Sequence, residues 1–386
     1  MLSQKRNLDS FAYGLFCLVL LATPFYFWRF SVLGIPSTIL EVLIYAAFFV
    51  FVASGRLRFI RFWPSIVAAI FVLCALIGAL RDPSMRNGLG LWKAYFFDGF
   101  LVFLLVFGFL KEKKQANILS WLTAGAFISA ALAIFRFYTG VRSLDGRLLG
   151  LEGLSPNYLA MFLSPILVLA LNKIRTAENW SGRIGYLLAA TAIFWALYLA
   201  GSRGAFIAIA VGLLVFVYSY FKQTGLKNRA KLFFWVPFIA LMAFSVWFFY
   251  PKWDDLGRAG SSQNIRFYIW STSLEIAQKN PLFGVGLSNY QNYFSDLTSD
   301  RVNYPEFISP QALTAHNLYL HFYLTGGVAL ISSFILLILS SRFWRGKETA
   351  VLAALVVLLA YGLFDTPIFR NDLAILFWVL LGLAYV

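Results

Sequence analysis

The sequence predicts an all-α polytopic membrane protein, with about twelve transmembrane helices and one large loop that contains an amphipathic helix. Three observations predict it. Of 386 residues, 60% are hydrophobic and only 13% charged, far from the balance of a soluble domain. The apolar residues fall in runs of roughly 20, the length that crosses a hydrocarbon core. A single stretch, 251–313, is both long and hydrophilic. Residues 1–386 therefore read as one transmembrane domain, with 251–313 as the loop between the ninth and tenth spans.

In chain order the candidate spans are 11–28, 32–53, 64–80, 88–110, 116–138, 156–172, 185–200, 203–221, 232–250, 314–340, 348–364 and 371–386. The first follows Lys5-Arg6 and so imitates a signal peptide. It is long for a signal core, however, and no small-x-small cleavage site follows it. The seventh is short. It is divided from the eighth because Gly201-Ser202-Arg203-Gly204 lies between them, and a charge there is costly in lipid. Within the loop, 261–264 supplies helix caps. Apolar residues Ile265, Ile269 and Ile276, with Phe267, Trp270, Leu274 and Ala277 beside them, predict a helix over 265–279 lying along a membrane surface. Pro281 ends it. Gly284-Val285-Gly286 is not a dinucleotide loop, because Asn289 stands where a third glycine belongs and no βαβ unit surrounds it. Cys17 and Cys74 lie in apolar runs and make no disulfide framework.

The net charge of +15 would suggest nucleic acid in a soluble protein, but no basic helix or nucleic-acid motif carries it, and basic residues of membrane proteins collect in cytoplasmic loops. With the N-terminus inside and the spans alternating, the inner segments hold Lys5, Arg56, Lys113, Arg175, Lys227 and Arg345 among many basic residues. Only Asp9, Glu112, Glu178 and Glu348 oppose them. The positive-inside rule then puts both termini in the cytoplasm and the 251–313 loop, Arg203 and His316 outside.

Candidate chemistry collects on that outer side. Arg203 follows Ser202, Arg266 follows Gln263-Asn264, and His316 follows Thr314, so each is expected in the first turn of a helix. Helix N-termini offer free N–H groups and partial positive charge, which suit phosphate. Arginine there has the wrong sign for the dipole, which points to an anionic ligand or to side chains reaching lipid headgroups. A lone interfacial histidine such as His316 is more often a structural hydrogen-bonder than a catalyst, while a helix start favours the neutral imidazole that a general base needs. Ser202, Gln263, Asn264, Asn317, Arg136, Arg147 and Asn157 are candidate substrate contacts. His321, about 140° further round the helix, is read as packing. Glu41, Lys93 and Asp98 lie inside spans and are read as structural, with Lys93 and Asp98 at the wrong spacing for a helical pair. Asp254-Asp255 has no third ligand beside it, so no metal and no cofactor are expected.

At these residues the chain resembles the O-antigen ligase family. The matching pieces are Gly201-Ser202-Arg203-Gly204-Ala205, Asn264-Ile265-Arg266, Asn280-Pro281-Leu282-Phe283-Gly284-Val285-Gly286, and His316-Asn317-Leu318-Tyr319-Leu320 running on to Gly326-Gly327. The resemblance implies transfer of a glycan from undecaprenyl pyrophosphate to a hydroxyl of the lipid A core, outside the bacterial inner membrane, by a metal-independent inverting reaction. It implies that Arg203 and Arg266 hold pyrophosphate and His316 serves the acceptor. Related polymerases and protein O-oligosaccharyltransferases share the superfamily. The polymerase pattern Arg-x10-Gly is not met at Arg203 or Arg266, since Leu214 and Ala277 stand where those glycines would be, and only one large outer loop exists. A transporter or flippase would explain the spans. It would call for repeats and a midplane site, and neither is visible.

The topology yields a first prediction. Cysteines placed at Ser261 and Ser341 are expected to differ, only the former reacting with an impermeant reagent added from outside. The reverse pattern would overturn the orientation.

Overall fold

A computed structural model of the chain describes residues 2–32, 35–110, 115–151, 153, 155–224, 262–299, 312–341 and 349–385. It is a helical bundle in which the described residues include eight helices long and apolar enough to cross a membrane and three shorter apolar ones. The chain is thus an all-α multi-pass membrane protein. The ninth candidate span, 232–250, lies outside the described residues, as do Asp254 and Asp255.

Helix α1 (Leu2–Ala22) ends in a short turn, Thr23–Phe25. A hairpin follows, β1 (Arg29–Val32) pairing antiparallel with β2 (Ile35–Thr38), Arg29 opposite Thr38. The second span therefore begins at residue 39, not 32. Gly34 and Pro36 interrupt the apolar run, and a proline inside a helix forfeits a hydrogen bond. Thr38 then caps α2 (Ile39–Ala53) by accepting from the Glu41 N–H at 3.2 Å. Helices α3 (Phe62–Leu80), α4 (Met85–Leu110), α5 (Gln115–Tyr138) and α6 (Pro156–Thr176) follow. The seventh span is not short: Asn179 accepts from Gly182 N–H, so α7 runs Trp180–Ala200. Next come α8 (Arg203–Thr224), α9 (Ser262–Lys279), α10 (Tyr290–Ser299), α11 (Leu318–Ser340), α12 (Thr349–Tyr361) and α13 (Asn371–Ala384). The sequence expected one helix in the loop; the described part has two, α9 and α10.

The main core surrounds α13, which is apolar on every face and buried from Asp372 to Ala384. Trp378 is its centre, packed against Phe71, Phe100, Phe103 and Phe377, with its indole N–H donating to the Tyr95 carbonyl. A second, smaller core joins α9, α10 and α11 through Ile269, Ile276, Val285, Tyr290, Phe294 and Leu324. His321 packs on Phe369 and Tyr290, as the sequence reading expects.

The charges inside α2 and α4 meet polar partners. A π-turn over Lys93–Phe97 re-aims α4 at the level of Lys93 and Asp98. Lys93 bonds Glu41, whose second oxygen accepts from Asn371, and Tyr45 donates to Asp98 at 2.6 Å. These contacts join α2, α4 and α13 by charge as well as by packing. Removing one partner of a buried pair typically costs about 3–5 kcal/mol, because the other charge is stranded. Lys93→Ala is therefore expected to lower the melting temperature and folded yield, while a Glu41→Gln/Lys93→Met double variant recovers most of the loss. A thermal melt of Lys93→Ala indistinguishable from the parent would contradict this.

Candidate active site

The site forms at the bundle end where α8, α11 and α13 begin. Gly201 closes α7 in the left-handed conformation, φ 59°, a backbone state that glycine adopts without strain. The chain turns back at once, so Arg203 is the first residue of α8. Ser202, at the corner, is buried. Its hydroxyl lies 2.6 Å from that of Tyr361, which also donates to the Asn157 carbonyl at 3.4 Å. Tyr361 thus binds the starts of α6 and α8 to the end of α12. Ser202 and the Asn157 backbone stand behind the site wall.

Residues 362–370, between α12 and α13, hold the other half. The Gly362 carbonyl accepts from Leu318 N–H at 2.7 Å, and the Leu363 carbonyl accepts from the Asn317 side chain at 3.2 Å. Asn317 also caps α11 by accepting from Leu320 N–H at 3.0 Å. Thr314 is therefore not the cap. His316 lies just before the helix rather than in its first turn, because Asn317 takes the capping position. His316 is the only described non-glycine residue with positive φ, at 45°. Such a conformation is strained for a side-chain-bearing residue and persists where its surroundings impose it. Asp365 is one such neighbour: its carboxylate lies 3.2 Å from His316 Nδ1 and also accepts from Thr366 N–H at 3.0 Å.

Exposure divides the pair. The His316 side chain is 35% exposed, that of Asp365 only 4%, so the imidazole faces the site and the carboxylate backs it. Burial pushes the Asp365 carboxyl upward, but the His316 hydrogen bond and the charges of His316 and Arg266 outweigh it and hold it below the ordinary carboxylate value. Asp365 is therefore an anion at neutral pH. An anion on Nδ1 favours the tautomer with its proton there, leaving Nε2 as the basic nitrogen.

Arg266 lies within electrostatic reach of both Asp365 and Tyr361, and Arg147 within reach of Tyr361. Arg266 is not in a first turn: α9 is already helical at Ser262, so the arginine lies a full turn inside. The fold thus brings Arg147 and Arg266 within electrostatic reach of Tyr361, and Arg266 within reach of Asp365 beside His316, while Arg203 directly follows Ser202, whose hydroxyl meets that of Tyr361. Arg147 is braced by Asp145 at 2.5 Å. Arg136 is engaged elsewhere, donating to the carbonyls of Gly150 and Leu151 and so supporting the turn that carries Arg147. Gln263 and Asn264 lie in the first turn of α9, their side chains outside the described set. Among the described residues no three His, Cys, Asp or Glu side chains gather into a metal-ligand group.

Sequence reasoning missed Asp365 and Tyr361. The signal was present: alternation of spans puts turn 362–370 on the same side as His316, and Asp365 is an acid in that turn. Fold and site together define a multi-pass α-helical membrane protein with a cationic, histidine-bearing site at one end of its bundle. Residues 187–335, from α7 into α11, match a family model described as O-antigen ligase. The match includes Arg203, Arg266 and His316 but stops short of Asp365. Comparison with curated proteins gives no match.

The Asp365 anion has a pH signature. A carboxyl with a depressed folded pKa stabilises the protein fully above its unfolded value, near pH 4, and that contribution is lost as pH falls through the folded value. The melting-temperature difference between the parent and Asp365→Asn is expected to be level from pH 8 to about 5 and to shrink below about 4. A difference that vanished between pH 7 and 6 would contradict an ionised Asp365.

Proposed function

We propose that the chain transfers an O-antigen glycan from undecaprenyl pyrophosphate to a hydroxyl of the lipid A core oligosaccharide, at the periplasmic face of the bacterial inner membrane. The observation that supports this most is the His316–Asp365 contact, with Arg266 within electrostatic reach of the carboxylate. A sugar hydroxyl is a poor nucleophile at neutral pH, and a base that takes its proton typically contributes about 10²–10⁴ in rate. A sugar pyrophosphate departs as a multiply charged anion, and fixed cations that meet the developing charge lower the barrier.

The step balances as a single displacement with inversion. The acceptor oxygen attacks the anomeric carbon as its proton passes to His316 Nε2. The bond from that carbon to the pyrophosphate oxygen breaks, and its electron pair leaves with the phosphate. Asp365 stabilises the imidazolium that forms. Arg203 and Arg266 hold the pyrophosphate, with Arg147 beside them. Ser202 and Asn157 support Tyr361, while Asn317, Gln263 and Asn264 line the approach. The apolar carrier tail lies against the lipid-facing spans. The reaction needs no metal in this scheme.

In a purified assay with the lipid-pyrophosphate donor and lipid A core acceptor, Arg203→Ala and Arg266→Ala are each expected to lose about 10²–10³ in rate. Lysine should rescue them only in part, since it lacks the planar fork. His316→Ala, His316→Gln and His316→Arg are all expected to be inactive, with donor binding within a few-fold of the parent. Turnover should survive EDTA. An active His316→Gln variant would remove the imidazole from the chemistry. Weak donor binding restored by His316→Arg would make it a phosphate ligand instead.

A further inference from the structure

Two glycine-bearing stretches, 280–286 and 326–327, are not used by the chemistry above, yet the structure joins them to each other. Helix α11 is broken at Gly327, where φ is 66° and ψ is −162°. A break of this kind frees backbone groups that must find partners when buried. Here the partners come from outside the helix. Val285 N–H donates to the Leu324 carbonyl at 2.8 Å, and Val328 N–H donates to the Pro281 carbonyl at 3.0 Å. The 281–286 turn is thus seated in the broken helix as if it were part of it.

The fit leaves no room for a side chain on either partner. A Cβ on Gly284, itself at φ 67°, would come within 3.0 Å of the Leu324 carbonyl oxygen and the Gly326 nitrogen. One on Gly327 would come equally close to the backbone of Leu282 and Phe283. The turn has a second anchor. Asp82, buried at the corner between α3 and α4, accepts from both the N–H and the hydroxyl of Ser288, at 2.6 and 2.8 Å.

The location gives the interlock its consequence. Helix α9, which carries Arg266, ends at Lys279, immediately before the turn. Helix α11, which begins two residues after His316, receives it. The arginine lies on α9 and the imidazole just before α11, and the described backbone hydrogen bonds between the segment ending α9 and α11 are these two. We propose that the turn seated in the α11 break sets the register of Arg266 against His316, and that Gly284, Gly327 and Ser288 are positioning residues for the transfer. The inference rests on the glycosyl-transfer reading. Its physical content is that a misplacement of about 1 Å in a two-group site costs on the order of 10²-fold in rate.

The test has two arms. Spin labels at Ser271→Cys on α9 and Ser332→Cys on α11, both exposed positions, report the distance between the helices without any substrate. Transfer and donor binding are measured separately on the same folded protein. Gly284→Ala is expected to shift or broaden the distance distribution and to cut transfer about 10²-fold, while undecaprenyl pyrophosphate binds within a few-fold of the parent. Ser288→Ala removes one hydrogen bond to Asp82 and introduces no clash, so it is expected to fold. It should broaden the distances less and cost transfer several-fold. A Ser288→Ala or folded Gly284→Ala variant with unchanged distances and unchanged transfer overturns the proposal. Variants with lower thermal stability but parental turnover per folded molecule would make the interlock merely structural, and so overturn it too. If the parent transfers no glycan, the function reading fails, and the distance arm still decides whether the turn couples α9 to α11.

Discussion

A carboxylate sealed inside the end of a helical bundle is tolerable only when charge and hydrogen bonds meet it, and Asp365 is met by His316, Thr366 N–H and the field of Arg266. Much of the site geometry follows from that requirement. His316 is held in a left-handed conformation that a histidine seldom adopts, with its ring partly open to the site and Nδ1 turned inward. Asn317 is then free to cap α11, and the helix starts one residue later. The strain at His316 and the burial of Asp365 are two sides of one contact.

The turn after α12 is the hub of this arrangement. Its carbonyls take the first N–H of α11 and the Asn317 amide, and Tyr361 reaches the corner between α7 and α8 and the start of α6. Groups far apart in sequence are thereby fixed in one place by hydrogen bonds to a short, buried segment. Elsewhere in the bundle, Glu41 and Lys93 join α2 and α4, and Asn371 brings α13 to the same pair. Pairing of this kind contributes little net stability over an apolar core but makes wrong packings costly.

Most of the fold was legible because lipid imposes simple rules. Apolar runs of membrane length appear as helices at nearly every expected place. The errors occur where local chemistry overrides hydropathy. Pro36 and the Thr38 cap delay α2, and the Asn179 cap lengthens α7 beyond its apolar stretch. Arg203, Arg266 and His316 stand out as cations at breaks in apolar sequence. Their partners do not, because Tyr361 is an ordinary aromatic at a helix end and Asp365 an ordinary acid in a turn. Their roles arise from contacts 49 and 159 residues apart in the chain, which no periodicity records. Arg136 shows a structural role that the sequence did not reveal. An intramembrane arginine draws attention as a ligand, yet one of its guanidinium nitrogens donates to two backbone carbonyls.

The central claim is that Asp365 and His316 act as one unit in a transfer reaction. A double-mutant cycle on the transfer rate tests this most directly, using Asp365→Ala, His316→Ala and the combined variant. If the carboxylate works only through the imidazole, the combined variant is no slower than His316→Ala alone. If the two losses multiply, each residue acts independently and the account of the site is wrong.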